Sequence, residues 1–145
     1  MKTLLLFLFV PMACMGMDRL SALSMLETGN NDRMVGSAGE ISRYQILKSE
    51  WRSVTNSTRY TDPATAKAVT QQLLTRRLEQ FRAIHSRNPT NFEFYALWNA
   101  PNQVLGGRVS KRVAERCRRY ANLCEWKGVP VPVGSSKSEM LAAGS

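Results

Sequence analysis

The chain has 145 residues, 43% of them apolar and including three Trp, five Phe and four Tyr; that supports one domain with a real core and leaves no room for a second. Lys and Arg number 20 against 11 acidic residues, a formal net charge of +9. Such a field draws in anionic polymers of any kind, and charge alone does not choose among them. A single histidine, His85, and no paired-cysteine motif argue against a structural metal site, and no cofactor is expected.

Residues 1–16 read as an export signal. Lys2 supplies the charged start, Leu4 to Ala13 form an apolar run, and small or apolar residues around Cys14 to Gly16 offer a cleavage point. The run is too short to span a membrane stably. A buried N-terminal helix is the competing reading, disfavoured because nothing polar interrupts Leu4 to Val10 and a separate helix start follows at Asp18. A lipid anchor on Cys14 is weaker, since Pro11, Met12 and Ala13 precede it where a Leu three places earlier is usual. Either route places the domain outside the cytoplasm, in the periplasm, the cell envelope or the extracellular space. Losing Lys2 from 20 basic residues leaves 19 against 11 acidic ones, a formal +8.

Residues 17–126 form the predicted domain. Asp18 is a plausible N-cap, and Leu20, Leu23 and Leu26 repeat at helical spacing up to Gly29, which puts Glu27 in the last turn. There, burial and the negative end of the helix dipole both disfavour a charged carboxyl group, the condition a general acid requires. Asn30 to Ile46, rich in Gly, Asn and Ser, reads as an ordered loop or short hairpin. Lys48 to Val54 is a short helix started by Ser49, with Trp51 facing inward. Asp62-Pro63 opens a long amphipathic helix that ends near Arg87. A shorter helix from about Phe92 to Asn99 presents Phe92, Tyr95 and Trp98 and stops at Pro101. Val109 to Trp126, capped by Ser110, closes the domain with Lys111, Arg112, Arg116, Arg118 and Arg119 on a solvated face. Cys117 and Cys124 lie seven residues apart, about 10 Å along an unbroken helix, beyond disulfide reach, so free thiols are expected. Residues 127–145 read as a disordered tail.

The order of Glu27-Thr28, a loop with Gly39, Ser42-Arg43-Tyr44-Gln45 and then Trp98-Asn99-Ala100-Pro101 resembles the soluble lytic transglycosylase-like domain of the lysozyme-like superfamily, over roughly Leu20 to Trp126. The resemblance implies a mainly α, lysozyme-like helical domain with a loop or short hairpin beside a cleft. It implies Glu27 as catalytic acid, Gln45 lining the sugar cleft and Trp98-Asn99 as the opposite wall, with peptidoglycan glycan strands as partner. The departures are Trp98 for a Tyr whose hydroxyl approaches the acid, Gly36 where Ser is frequent, and Tyr44 for Met. Tyr44, beside Gln45, is the better of the aromatic candidates for stacking on sugar.

By that resemblance, Glu27 protonates the β-1,4 bond between N-acetylmuramic acid and N-acetylglucosamine. As carboxylate it then takes the proton of the muramic acid 6-hydroxyl, which closes a 1,6-anhydro ring. Glu40 keeps a second route open: a glycosidase ordinarily uses two carboxyl groups, and Glu40 as the second would make a hydrolytic muramidase or a chitinase. The preferred reading of Glu40 is a loop carboxylate paired with Arg33 or Arg43. A non-catalytic glycan-binding or assembly protein on the same fold is the alternative of a different class. Nucleic acid is not expected, because the basic helix lacks aromatic residues arranged for base stacking. The mature chain is expected to be a monomer without a transmembrane segment.

Overall fold

The computed structural model describes residues 16–126; the expected signal up to and including Met15, with Cys14, and the 127–145 tail lie outside them. Six helices follow in chain order: α1 (Arg19–Thr28), α2 (Lys48–Val54), α3 (Pro63–His85), α4 (Asn91–Asn99), α5 (Pro101–Leu105) and α6 (Lys111–Glu125). The described residues contain no β-strand, only an isolated antiparallel bridge between Ile41 and Ile46, so the domain is mainly α. Among them no helix is long and apolar enough to cross a membrane.

Side chains that accept the first orphan amides set most of the helix starts. Asp18 accepts from the amides of Leu20 and Ser21, Asp62 from Thr65 with Pro63 in the first turn, and Ser110 from Val113. Thr90 and Glu93 form a reciprocal capping box on α4. Ser49 does not start α2; Leu47 flanks that helix without a side-chain cap. Pro101 ends α4, as its missing amide requires, and also opens the unforeseen α5, with Ala100 as the shared joint.

The core is built around α4, whose Phe94, Tyr95, Ala96, Leu97 and Trp98 are all buried, the pattern of a helix enclosed on every side. α6 packs across it. The Tyr120 ring stacks on Tyr95 at 5.2 Å and on Phe94 at 5.8 Å between centroids. The Tyr120 hydroxyl donates to the Arg19 carbonyl at 2.9 Å, which ties α6 to the first turn of α1. α3 contributes Val69, Leu73, Leu74 and Phe81, and α1 contributes Ala22 and Leu23. Trp51 is buried as expected, with its indole donating to the Ser57 carbonyl at 2.7 Å.

Gly29, in the left-handed region at φ 62°, closes α1. The loop that follows is fastened twice. Arg43 forks onto Asp32 with bonds of 2.6 and 2.8 Å, and the Thr28 hydroxyl donates to the Arg43 carbonyl at 3.0 Å. Thr28 thereby fixes the distance between the end of α1 and the turn that carries Gln45. Cys117 and Cys124 are free thiols, Cys117 buried and Cys124 half-buried.

Candidate active site

The last turn of α1 delivers Glu27 into the domain rather than to solvent: its side chain is 7% exposed. Both oxygens are held. The Tyr95 hydroxyl, from α4, donates to Oε1 at 2.7 Å, and the Arg116 guanidinium, from α6, donates to Oε2 at 3.0 Å. The expected surroundings of Glu27 were apolar; the observed ones are a phenol and a cation. Burying a carboxyl group costs several kcal/mol unless it is hydrogen-bonded or paired, and these two donors from distant helices meet that need.

Glu27 opens onto a cavity of about 300 Å³. The loop supplies one side, with Gly36, Ser37, Glu40 and Gln45, while Trp98 and Asn99 at the end of α4 supply another. Leu47 and Glu50 at the start of α2, and Arg116, complete the lining. Five residues singled out in the sequence therefore meet in one cleft: Glu27, Glu40, Gln45, Trp98 and Asn99. Tyr44 is the exception. Its side chain is turned into the core and only 4% exposed, and it borders a separate depression beside Asp18 and Lys67. The alternation of side chains along the Ser42–Ile46 turn sends neighbouring residues to opposite sides, so Gln45 reaches the cleft and Tyr44 does not. What Tyr44 offers the cleft is its backbone carbonyl, which accepts from the Trp98 indole at 3.2 Å and orients that ring.

Gln45 sits at φ 53°, a strained setting for a residue with a Cβ. Its side-chain amide donates to the carbonyls of Met34 and Ser42 at 3.4 and 3.3 Å. Gly36 explains its own identity: a Cβ there would collide with both the Glu40 carboxylate and the Gln45 side-chain oxygen. Glycine lets these two polar ends lie side by side on the cleft floor. Glu40 accepts from the Ala38 amide at 2.9 Å and forms no ion pair among the described residues. The expected partner Arg43 is committed to Asp32 instead, because a guanidinium forked on one carboxylate has little left for another.

Three participants had not been foreseen. In the sequence Tyr95 is only one of the aromatics along its helix and Arg116 part of a solvated basic face; Arg116 instead lies over the Tyr95 ring at 5.8 Å and enters the cleft. Burial, then the nearby Glu27 carboxylate, pushes the Tyr95 hydroxyl far above its ordinary range, so it remains a neutral phenol. Arg77 is the third. It pairs with Glu50, donates to the carbonyls of Leu97 and Trp98 at 3.1 and 2.8 Å, and lies over the Trp98 ring at 5.2 Å. It thus caps α4 with a cation and braces the Trp98 wall. A spacing signal was available for Tyr95, which lies one helical turn before Trp98. None was available for Arg77 or Arg116, whose neighbours come from far along the chain.

Chemically, the cleft combines a nearly buried carboxyl group backed by the Tyr95 hydroxyl, a further carboxylate, Glu40, without an ion-pair partner among the described residues, and side-chain amides suited to sugar hydroxyl and acetamido groups. No group of three or more His, Cys, Asp or Glu side chains among the described residues is placed to hold a metal ion. Comparison with protein-family profiles, curated proteins and solved structures finds no match to this chain.

Proposed function

We propose that this protein is an exported, lysozyme-like lytic transglycosylase that cleaves peptidoglycan strands at the β-1,4 bond between N-acetylmuramic acid and N-acetylglucosamine. The observation that carries the reading is Glu27, nearly buried at a helix end yet lining a cleft shared with Gln45, Trp98 and Asn99. The hydroxyl that Trp98 cannot supply comes from Tyr95, one turn earlier on the same helix.

In this mechanism Glu27 carries a proton to the bridging oxygen as the bond breaks, and the departing sugar leaves with it. The resulting carboxylate accepts the proton of the muramic acid 6-hydroxyl while that oxygen bonds to the anomeric carbon, closing the 1,6-anhydro ring. Tyr95 donates to Oε1 and so stabilises the carboxylate form; in the acid form the single proton of Glu27 points to the bridging oxygen rather than to Tyr95. Arg116 only donates, so it holds Oε2 throughout and steadies the charged state. Gln45 and Asn99 bind the sugar, and Trp98 walls the cleft.

A hydrolytic variant has one specific support: Glu40 lines the same cleft and forms no ion pair among the described residues, which leaves a second carboxylate available there. Incubation of purified peptidoglycan with the wild-type protein and with Glu27→Gln tests the proposal. Turnover is expected for the wild type and at least a thousandfold less for the variant, and equal turnover by both removes Glu27 from the chemistry. Mass spectrometry of the products decides the route, because anhydro ends mark the transglycosylase and reducing ends the hydrolase. Saturable binding without any product would leave a glycan-binding protein.

A further inference from the structure

We infer that a recess walled by Arg112 and Arg116 is an anion subsite, which takes a carboxylate carried by the glycan beside the bond that is cut. The inference rests on the glycan-cleaving reading above and adds the feature of the strand that the protein recognises. The recess is a cavity of about 310 Å³ next to the cleft, and the two share Asn99 and Arg116 as a common wall. Their linings differ in charge. Glu27, Glu40 and Glu50 line the cleft, whereas no acidic residue lines the recess.

Arg112 and Arg116 are four residues apart on α6, so their side chains project from the same face of the helix. Arg116 is 39% exposed and bonds Glu27 through a single nitrogen, so that carboxylate does not take up its whole fork. Arg112 forms no ion pair among the described residues. Two guanidinium groups of which one is unpaired, with Asn99 and Ser110 alongside, make a donor-rich surface matched to a planar carboxylate. Of the three cleft carboxylates, Glu27 and Glu50 are paired with Arg116 and Arg77, which leaves Glu40 unpaired where an anionic strand would lie, and Arg112 in the recess supplies a local countercharge. The carboxylate has two possible sources, the lactyl group of muramic acid once the peptide is removed, or the peptide stem itself.

The test is equilibrium binding by the full-length chain carrying Glu27→Gln, so that nothing is cleaved. The probes are peptide-stripped strands, intact strands with stems, and each of these after methyl esterification. Arg112→Gln is compared with Arg118→Gln, which removes the same charge from an exposed position outside the recess. Free carboxylates are expected to bind about tenfold tighter than esters, and Arg112→Gln is expected to erase that preference while Arg118→Gln retains it. A preference confined to stripped strands identifies the lactyl group, and one confined to intact strands identifies the stem; both support the subsite. Saturable binding with equal affinity for acid and ester, or equal losses from the two arginine variants, overturns the subsite alone. No binding of any strand overturns the subsite, and if the wild type also gives no turnover the glycan-cleaving reading falls with it.

Discussion

Glu27, Tyr95 and Arg116 come from three helices and meet at one carboxyl group, so each substitution there reads a different term. Tyr95→Phe removes only the oxygen that bonds Oε1. It is expected to cost about 1–3 kcal/mol of stability, because the acceptor left behind stays buried, and to lower the cleavage rate by about 10- to 100-fold with a smaller change in KM. Denaturant melts and steady-state kinetics on the same sample separate the two. Gly36→Ala works in the opposite way. The added methyl displaces Glu40 and Gln45 on a surface loop, so glycan binding should weaken at least tenfold while the unfolding midpoint moves little, as calorimetry would record. Both expectations follow from packing at distances of a single atom, where a misplaced group forfeits its geometry.

Among the elements, α4 has the most to lose, because its buried residues reach the core and its last turn forms the cleft wall. Thr90→Ala breaks the capping box and should destabilise the protein by about 1 kcal/mol, measured as a shift in the urea midpoint. The same cap gives a pH signature. Bonds from Arg87, and then from the amide and hydroxyl of Thr90, outweigh burial and hold the Glu93 carboxyl down to about 2, against an ordinary value of 4.5. Its folded value lies below its unfolded one, so the contribution is fully present above about pH 4.5 and is lost as the pH falls toward about 2. Glu93→Gln should flatten the stability profile across that window, and thermal melts at stepped pH would show it. On α6, burial pushes the Cys117 thiol up to about 11, so alkylation of the native protein at pH 8 should be slow there and become fast only on unfolding.

Across the whole molecule, the cationic charge and the cleft's mostly paired carboxylates act at different ranges. On the proposed function, the formal +9 of the chain should accelerate encounter with anionic glycan strands at low salt. Raising ionic strength from about 0.01 to about 1 M contracts the screening length from about 30 to about 3 Å. Association rates should therefore fall steeply while cleavage of a short, pre-bound strand changes little; stopped-flow binding beside single-turnover assays would check this.

Helices were legible wherever a cap and a stripe coincided, as at Asp18 for α1, Asp62-Pro63 for α3 and Ser110 for α6. These are interactions between residues a turn apart, and one sequence holds all their terms. α5 escaped notice because its five residues are too few to establish a period. The cleft was partly legible. Glu27, Gln45, Trp98 and Asn99, singled out through the motif order of the resemblance, and Glu40, as a second carboxylate, do share a cavity. Tyr44 was misplaced because a tight turn decides which of two adjacent side chains faces the core.

Local chemistry alone thus settled the helical class, most element ends and the close of the first helix at Gly29, and it placed Glu27 in that helix's last turn. Tertiary packing decided what that acid touches. It brought in Tyr95 from 68 residues and Arg116 from 89 residues along the chain, turned Arg116 from solvent to cleft, and gave Arg43 to Asp32 rather than to Glu40. The reason is physical: a cap or a stripe is satisfied within one or two turns, whereas the partner of a buried charge is whichever donor the folded core leaves within about 3 Å of it.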